Sequence, residues 1–224
     1  MRNRFDRQLG ELNHRLIDMG SLIEQAIETA VDGLVYQDKE KAKRAIQYEE
    51  EINHAEREIE ALCLKLLLQQ QPVASDLRLI SSALKMITDM ERIGDHATDI
   101  SELTLVLADK PYIMNMKHIQ QMARETIVMV IHSLEAFVKK DIEMAKQVIV
   151  QDDKVDELFA KVKTEILQLL REHMEHGEQA EDLLMAAKYF ERIGDHATNI
   201  AEWVIFSIVG KHVDEIEAGV IFNK

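Results

Sequence analysis

Two pairs of carboxylates stand where carboxylates are costly. Glu91 and Asp95 lie four residues apart in the octapeptide Glu-Arg-Ile-Gly-Asp-His-Ala-Thr, and the same eight residues recur as 191–198 with Glu191 and Asp195. That spacing puts both acids on one face of a helix, where they can bridge or chelate a single cation. Glu91 also falls on an apolar 3-4 stripe (77, 80, 84, 87, 91, 94), and Glu191 falls likewise in the second copy. A buried carboxylate is expensive unless it is paired, hydrogen-bonded or bound to metal, so something is expected to compensate these four.

Partner acids are available on the preceding helices. The stripe 42, 45, 49, 52, 56, 59, 63, 66 contains Glu49 and Glu56, and the stripe 145, 148, 152, 155, 159, 162, 166, 169 contains Asp152. An antiparallel hairpin turning near Gln71-Pro72 sets Glu49 and Asn53 within about one turn of Glu91 and Asp95, at a rise of about 1.5 Å per residue. A turn within 173–177 sets Asp152 and Asp156 within roughly two turns of Glu191 and Asp195. Gly94 and Gly194 sit between the acids; glycine costs a helix interior about 1 kcal/mol relative to alanine, and close helix approach is a motive for it. Such a set is an oxygen-rich cage suited to magnesium, manganese or iron, with zinc or nickel if His96 or His196 joins. Asp99, Glu102 and Glu202 continue the same faces, while Asn199 replaces an acid. The competing reading is that Arg92 and Arg192 neutralise the acids as ordinary salt bridges.

The elements that must position these residues are helices. Two prolines, eight glycines and 5% aromatics among 224 residues favour an all-α protein. Apolar residues recur at three and four through most of the chain. The first helix carries Leu9, Leu12, Leu16, Met19, Ile23, Ala26 and Ala30, with a break near Gln37-Asp38; Pro72 opens the third, and Pro111 marks the middle. Met122, Met129, Leu134 and Phe137 then repeat Met19, Ala26, Val31 and Leu34 at an offset of 103, and Asp141–Lys146 repeats the break. The economical architecture is two tandem, duplicated three-helix bundles of six long antiparallel helices: residues 1–110, residues 111–210, and a tail 211–224 read as a mobile end or docking segment.

A net charge of -14 disfavours nucleic acid and anionic lipid as partners and suits a cation or a basic protein surface. Cys63 is the only cysteine, which excludes an intrachain disulfide and a cysteine-based zinc site; its leucine neighbours predict a buried thiol. No apolar run reaches about 18 residues and no signal-like segment opens the chain, so a cytoplasmic protein is expected.

The duplicated octapeptide, the segment Pro72-Val73-Ala74-Ser75-Asp76-Leu77-Arg78 and the paired three-helix layout resemble the PhoU family, over nearly the whole chain to about residue 210. The resemblance implies a cytoplasmic, oligomeric (homodimeric) regulator without catalytic activity, which restrains phosphate uptake and the phosphate-starvation response. It implies two protein partners, a phosphate transporter's ATPase subunit and a sensor histidine kinase, and contact with the membrane only through them. It also implies metal bound through E/D-x-x-x-D motifs, which map onto Glu91/Asp95, Glu191/Asp195 and Asp152/Asp156, with Glu49/Asn53 departing at Asn53. Two alternatives are weighed against it. A di-iron oxidase needs Glu-x-x-His on each of two helices, and only Glu51–His54 supplies one nearby. A metal-free helical scaffold needs no site at all. Neither a Walker A loop nor a metalloprotease or nucleophile-elbow motif is present.

Overall fold

In the computed structural model, residues 2–70 and 73–216 are described, and they form six long helices with no strand. These are α1 (Arg2–Tyr36), α2 (Lys39–Gln70), α3 (Ala74–Leu107), α4 (Lys117–Lys139), α5 (Ile142–Glu172) and α6 (Gly177–Val209), with a 3-10 turn, Met174–His176, before α6. The all-α expectation is met. Pro72 and the terminal Val220-Ile221-Phe222 lie outside the described residues.

Each repeat closes around its own stripe residues. Leu12, Leu16, Met19, Ile23, Ala26 and Leu34 of α1 are buried, and so are their counterparts Met122, Met129, Leu134 and Phe137 of α4. The two breaks obey one design. Gln37 and Lys140 both take left-handed backbone (φ 55 and 54) and end their helices. Asp38 and Asp141 then start the next ones: Asp38 Oδ1 accepts from the amides of Glu40 and Lys41, and Asp141 Oδ1 accepts from that of Met144.

The repeats join through α3 against α6 and α1 against α4, so α2 packs only on α1 and α3, and α5 only on α4, α6 and the 3-10 turn before α6. This leaves two long grooves, α2/α3 and α5/α6, on the flanks of a central α3–α6 contact. The linker between the repeats is held at several points. Gln179 Nε2 donates to the Pro111 carbonyl at 3.2 Å, its Oε1 accepts from the Ile113 amide at 2.8 Å, and Gln37 donates to the carbonyls of Leu107 and Lys110. Beyond Gly210, residues 213–216 form a further helical turn whose Val213 and Ile216 pack on the core. The start of the tail is therefore docked on the bundle, through apolar residues set three apart.

Candidate metal centre

The α5/α6 groove is built around Gly194. A Cβ there would stand 2.9 Å from Asp152 Oδ1, 3.6 Å from Val155 Cγ1 and 3.8 Å from Met129 Cε, so the missing side chain is what admits the Asp152 carboxylate between the helices. Asp152 is half-buried, and its Oδ1 is sealed from solvent without a hydrogen-bond partner. Burial first, then the negative charges of Asp156, Asp195 and Glu191, push its pKa from 3.8 up to about 6. Asp156 and Asp195 lie nearer solvent, yet both are raised by desolvation and then by Glu191. The cation in reach is Lys188, which pairs with Glu191 and lies 5.4 Å from the Phe159 ring centroid.

The α2/α3 groove repeats the plan with different fittings. A Cβ on Gly94 would meet Ile52 at 2.9 Å (Cδ1) and 3.1 Å (Cγ2), so an isoleucine packs where the other groove has a carboxylate. Glu91 is raised by desolvation, then by Asp95, Glu56 and Glu49. Glu56 is raised by desolvation, then by Glu60 and Asp95. Glu56 is thus a groove acid that the sequence argument placed on the stripe but left out of the site; its counterpart in the other repeat is Phe159. Asn53 is half-buried one residue beyond Ile52. Arg92 crosses the mouth, 3.0 Å from Asp95 and 3.6 Å from Glu91, so the salt-bridge reading holds in part for this groove. Arg192 does not repeat that role; its charge acts on His96 and Tyr189 instead.

The hairpin registers explain the geometry. Ile52 faces Gly94 and Asp152 faces Gly194, which centres the two pairings near residues 73 and 173. Val155 Cγ1 also faces Gly194, so the second pairing centres between residues 173 and 175, within the expected turn. Asp152 sits level with Gly194, inside the two turns expected between it and the acid pair.

Other expected residues go elsewhere. Asp99 Oδ2 accepts from His96 Nδ1 at 3.1 Å. His96 stacks on Tyr189 (ring centroids 5.4 Å apart) and lies 5.6 Å from His196, whose Nδ1 donates to Asp89 Oδ1 at 2.8 Å. Asn199 donates to the same Asp89 oxygen. The two histidines therefore belong to the α3–α6 contact, each held by a carboxylate. Sequence periodicity gave no sign of Asp89 or Tyr189, since their partners are on the other repeat. Glu202 is exposed on α6, two turns beyond Asp195. His54, the histidine of the oxidase alternative, is exposed and lies 3.7 Å from Glu58, lining a hollow with Asp18 and Leu22 away from Glu91.

The donors present, carboxylates with one sealed oxygen lacking a proton donor, fit a hard or borderline cation. Asp152, Asp156, Glu191 and Asp195 are the residues that could hold one in the α5/α6 groove, and Glu49, Glu56, Glu91 and Asp95 in the α2/α3 groove. No three of these donor atoms lie within 4.8 Å of one another among the described residues.

Fold and site together define a duplicated all-helical protein with an acidic groove in each half. Comparison with known proteins agrees on the helical fold and on the duplication. The model of the PhoU domain matches twice, at residues 16–104 and 119–204. A phosphate-specific transport system accessory protein PhoU homolog from Clostridium acetobutylicum is 36% identical over 211 residues, spanning 94% of this chain and 96% of that one. The accessory protein PhoU of Escherichia coli (strain K12) is 30% identical, spanning 95% and 90%. The crystal structure of PhoU from Pseudomonas aeruginosa superposes with a TM-score of 0.88 at 32% identity, over 92% of this chain and all of that one. The phosphate transport system regulatory protein PhoU from Streptococcus pneumoniae gives 0.87 at 28% identity, over 93% and 99%. This chain belongs to the PhoU family.

Proposed function

We propose that this protein is a non-enzymatic regulatory accessory of a phosphate-specific transport system, acting by protein contact. What carries the reading is the end-to-end likeness to relatives named as accessory and regulatory proteins of that system, with both repeats included. It restrains phosphate uptake and starvation signalling by linking the transporter's ATPase subunit to a sensor histidine kinase. It works in the cytoplasm as a homodimer; no helix among the described residues is long and apolar enough to cross a membrane. The test is deletion in the source organism with a phosphate-starvation reporter. Expression that becomes constitutive at high phosphate supports the reading, and an unchanged reporter refutes it. Pull-downs at high and low phosphate test the two partners.

In the same reading the grooves hold metal ions, which would neutralise the clustered charge and clamp α2 to α3 and α5 to α6. The sealed, partnerless Asp152 oxygen at the Gly194 notch is the supporting observation. The identity of the ion is left to measurement among iron, manganese, magnesium, zinc and nickel. Equal metal content in the parent and in Glu191→Ala/Asp195→Ala would remove the assignment.

A further inference from the structure

The turn between α5 and α6 carries metal-binding chemistry unlike that of the grooves. His173, Glu175 and His176 bring one donor atom each to within 4.8 Å of one another, the only set of three histidine, cysteine or acidic residues to do so among the described residues. Glu175 Oε1 lies 3.2 Å from His173 Nδ1 and 4.0 Å from His176 Nε2, and the two imidazole rings are 5.7 Å apart. A tetrahedral zinc with bonds of about 2.0–2.1 Å needs donors about 3.3 Å apart. Of the three separations, Glu175–His173 is already there at 3.2 Å, Glu175–His176 is 4.0 Å, and the two histidine donors stand within 4.8 Å, so small side-chain adjustments close the set.

The backbone beneath this trio is fixed. The His173 amide donates to the Leu169 carbonyl at 2.9 Å and ends α5, and the His176 amide donates to the His173 carbonyl at 3.2 Å. Gln179, one turn into α6, is bonded to the linker at Pro111 and Ile113. Glu175 and His176 also line a hollow of about 430 Å³ with Lys110, Pro111, Tyr112 and Ile113.

We propose that His173, Glu175 and His176 form a separate site for a borderline divalent cation of the zinc or nickel class, with a fourth position open to water or to a ligand from the linker side. Two imidazoles and one carboxylate select zinc or nickel, whereas the all-oxygen grooves suit harder ions. The bound ion ties the α5–α6 turn together where it abuts the linker between the repeats.

The test uses the full chain, stripped with chelator and titrated with cobalt(II) and with zinc. The variants are His173→Ala/His176→Ala and, as groove control, Asp152→Asn/Asp195→Asn. The histidine side chains are 56% and 42% exposed, so the first variant retains its fold, and far-UV circular dichroism checks this. The expected result is tetrahedral cobalt absorption and one equivalent of zinc binding that survive the groove substitutions and disappear with the histidines. Zinc stoichiometry and affinity unchanged by loss of both histidines overturn the proposal. So does cobalt absorption that vanishes only in the groove variant.

Discussion

Asp152→Asn tests whether the α5/α6 groove is a strained anion site. In the folded chain the Asp152 carboxyl is pushed from 3.8 up to about 6, so between those values the native state binds more protons than the unfolded chain. Stability therefore falls as pH rises through that window, and the whole penalty is present at neutral pH. At about 1.4 kcal/mol per unit, the shift corresponds to roughly 3 kcal/mol as an upper figure. Asparagine removes the charge but keeps a polar atom in the sealed Oδ1 position, which returns about 1 kcal/mol or more. The expected net gain for metal-stripped Asp152→Asn at pH 7 is about 1–2 kcal/mol, or roughly 2–8 °C in Tm for a chain of this size. The gain should shrink as the pH falls from about 6 through 3.8, because the charge penalty is lost once Asp152 is protonated in both states. A bound cation reverses the order: at a hundred times its Kd it stabilises the parent by about 2.7 kcal/mol and the variant by far less. The assay is thermal unfolding of both proteins from pH 4 to 7.5, with chelator and with manganese or zinc. A stripped variant no more stable than the parent at pH 7, with a difference flat in pH, refutes the reasoning.

Four further outcomes are expected. Gly10→Ala should raise stability by about 0.5–1 kcal/mol, because a Cβ there meets nothing within 4 Å. Gly94→Ala should lower it by about 1–2 kcal/mol, because the new methyl meets buried Ile52; chemical denaturation of both variants checks the contrast. Cys63 is buried, with its thiol pushed up to about 12 by burial, so a thiol reagent should modify the native protein no faster than it unfolds. Lys140→Gly should stabilise by about 1 kcal/mol by relieving a left-handed side-chain residue at the α4–α5 turn, read as a rise in Tm.

Much of the fold is legible in the chain because helix periodicity and the duplication each constrain it. The stripes name most of the buried residues of α1, α2, α4 and α5, whereas α3 buries Ala83, Met86, Met90 and Ile93 and leaves Leu77 of its stripe exposed; the Gln37-Asp38 and Lys140-Asp141 breaks are where helices stop and start. The pairing of each octapeptide with the preceding helix follows from antiparallel geometry alone, to within the uncertainty of where the turn falls. Three things were hidden. The 3-10 turn at Met174–His176 lies between α5 and α6, and nothing in the periodicity marks it. The α3–α6 contact decides that His96 takes Asp99 and that His196 takes Asp89, and no stripe reports a partner on another repeat. Apolar residues also mislead singly: Leu64 and Leu68 flank buried Cys63, yet they are 47% and 83% exposed.

The duplication supplies two grooves with identical octapeptides and different opposing helices, and the opposing helices set how each groove handles charge. In the first, an isoleucine fills the glycine notch and Arg92 bridges Glu91 and Asp95. In the second, a carboxylate occupies the notch, Arg192 makes no ion pair with Glu191 or Asp195, and Lys188 pairs with Glu191. Uncompensated charge destabilises the empty groove and is relieved when a cation arrives, so the more strained groove gains more from the same ion. The α5/α6 groove should accordingly load first. Calorimetric titration of stripped protein should show a tighter class of sites that Asp152→Asn abolishes and a weaker class that Glu91→Gln abolishes. Loss of the tighter class in Glu91→Gln with retention in Asp152→Asn would reverse the order and remove the link between strain and affinity.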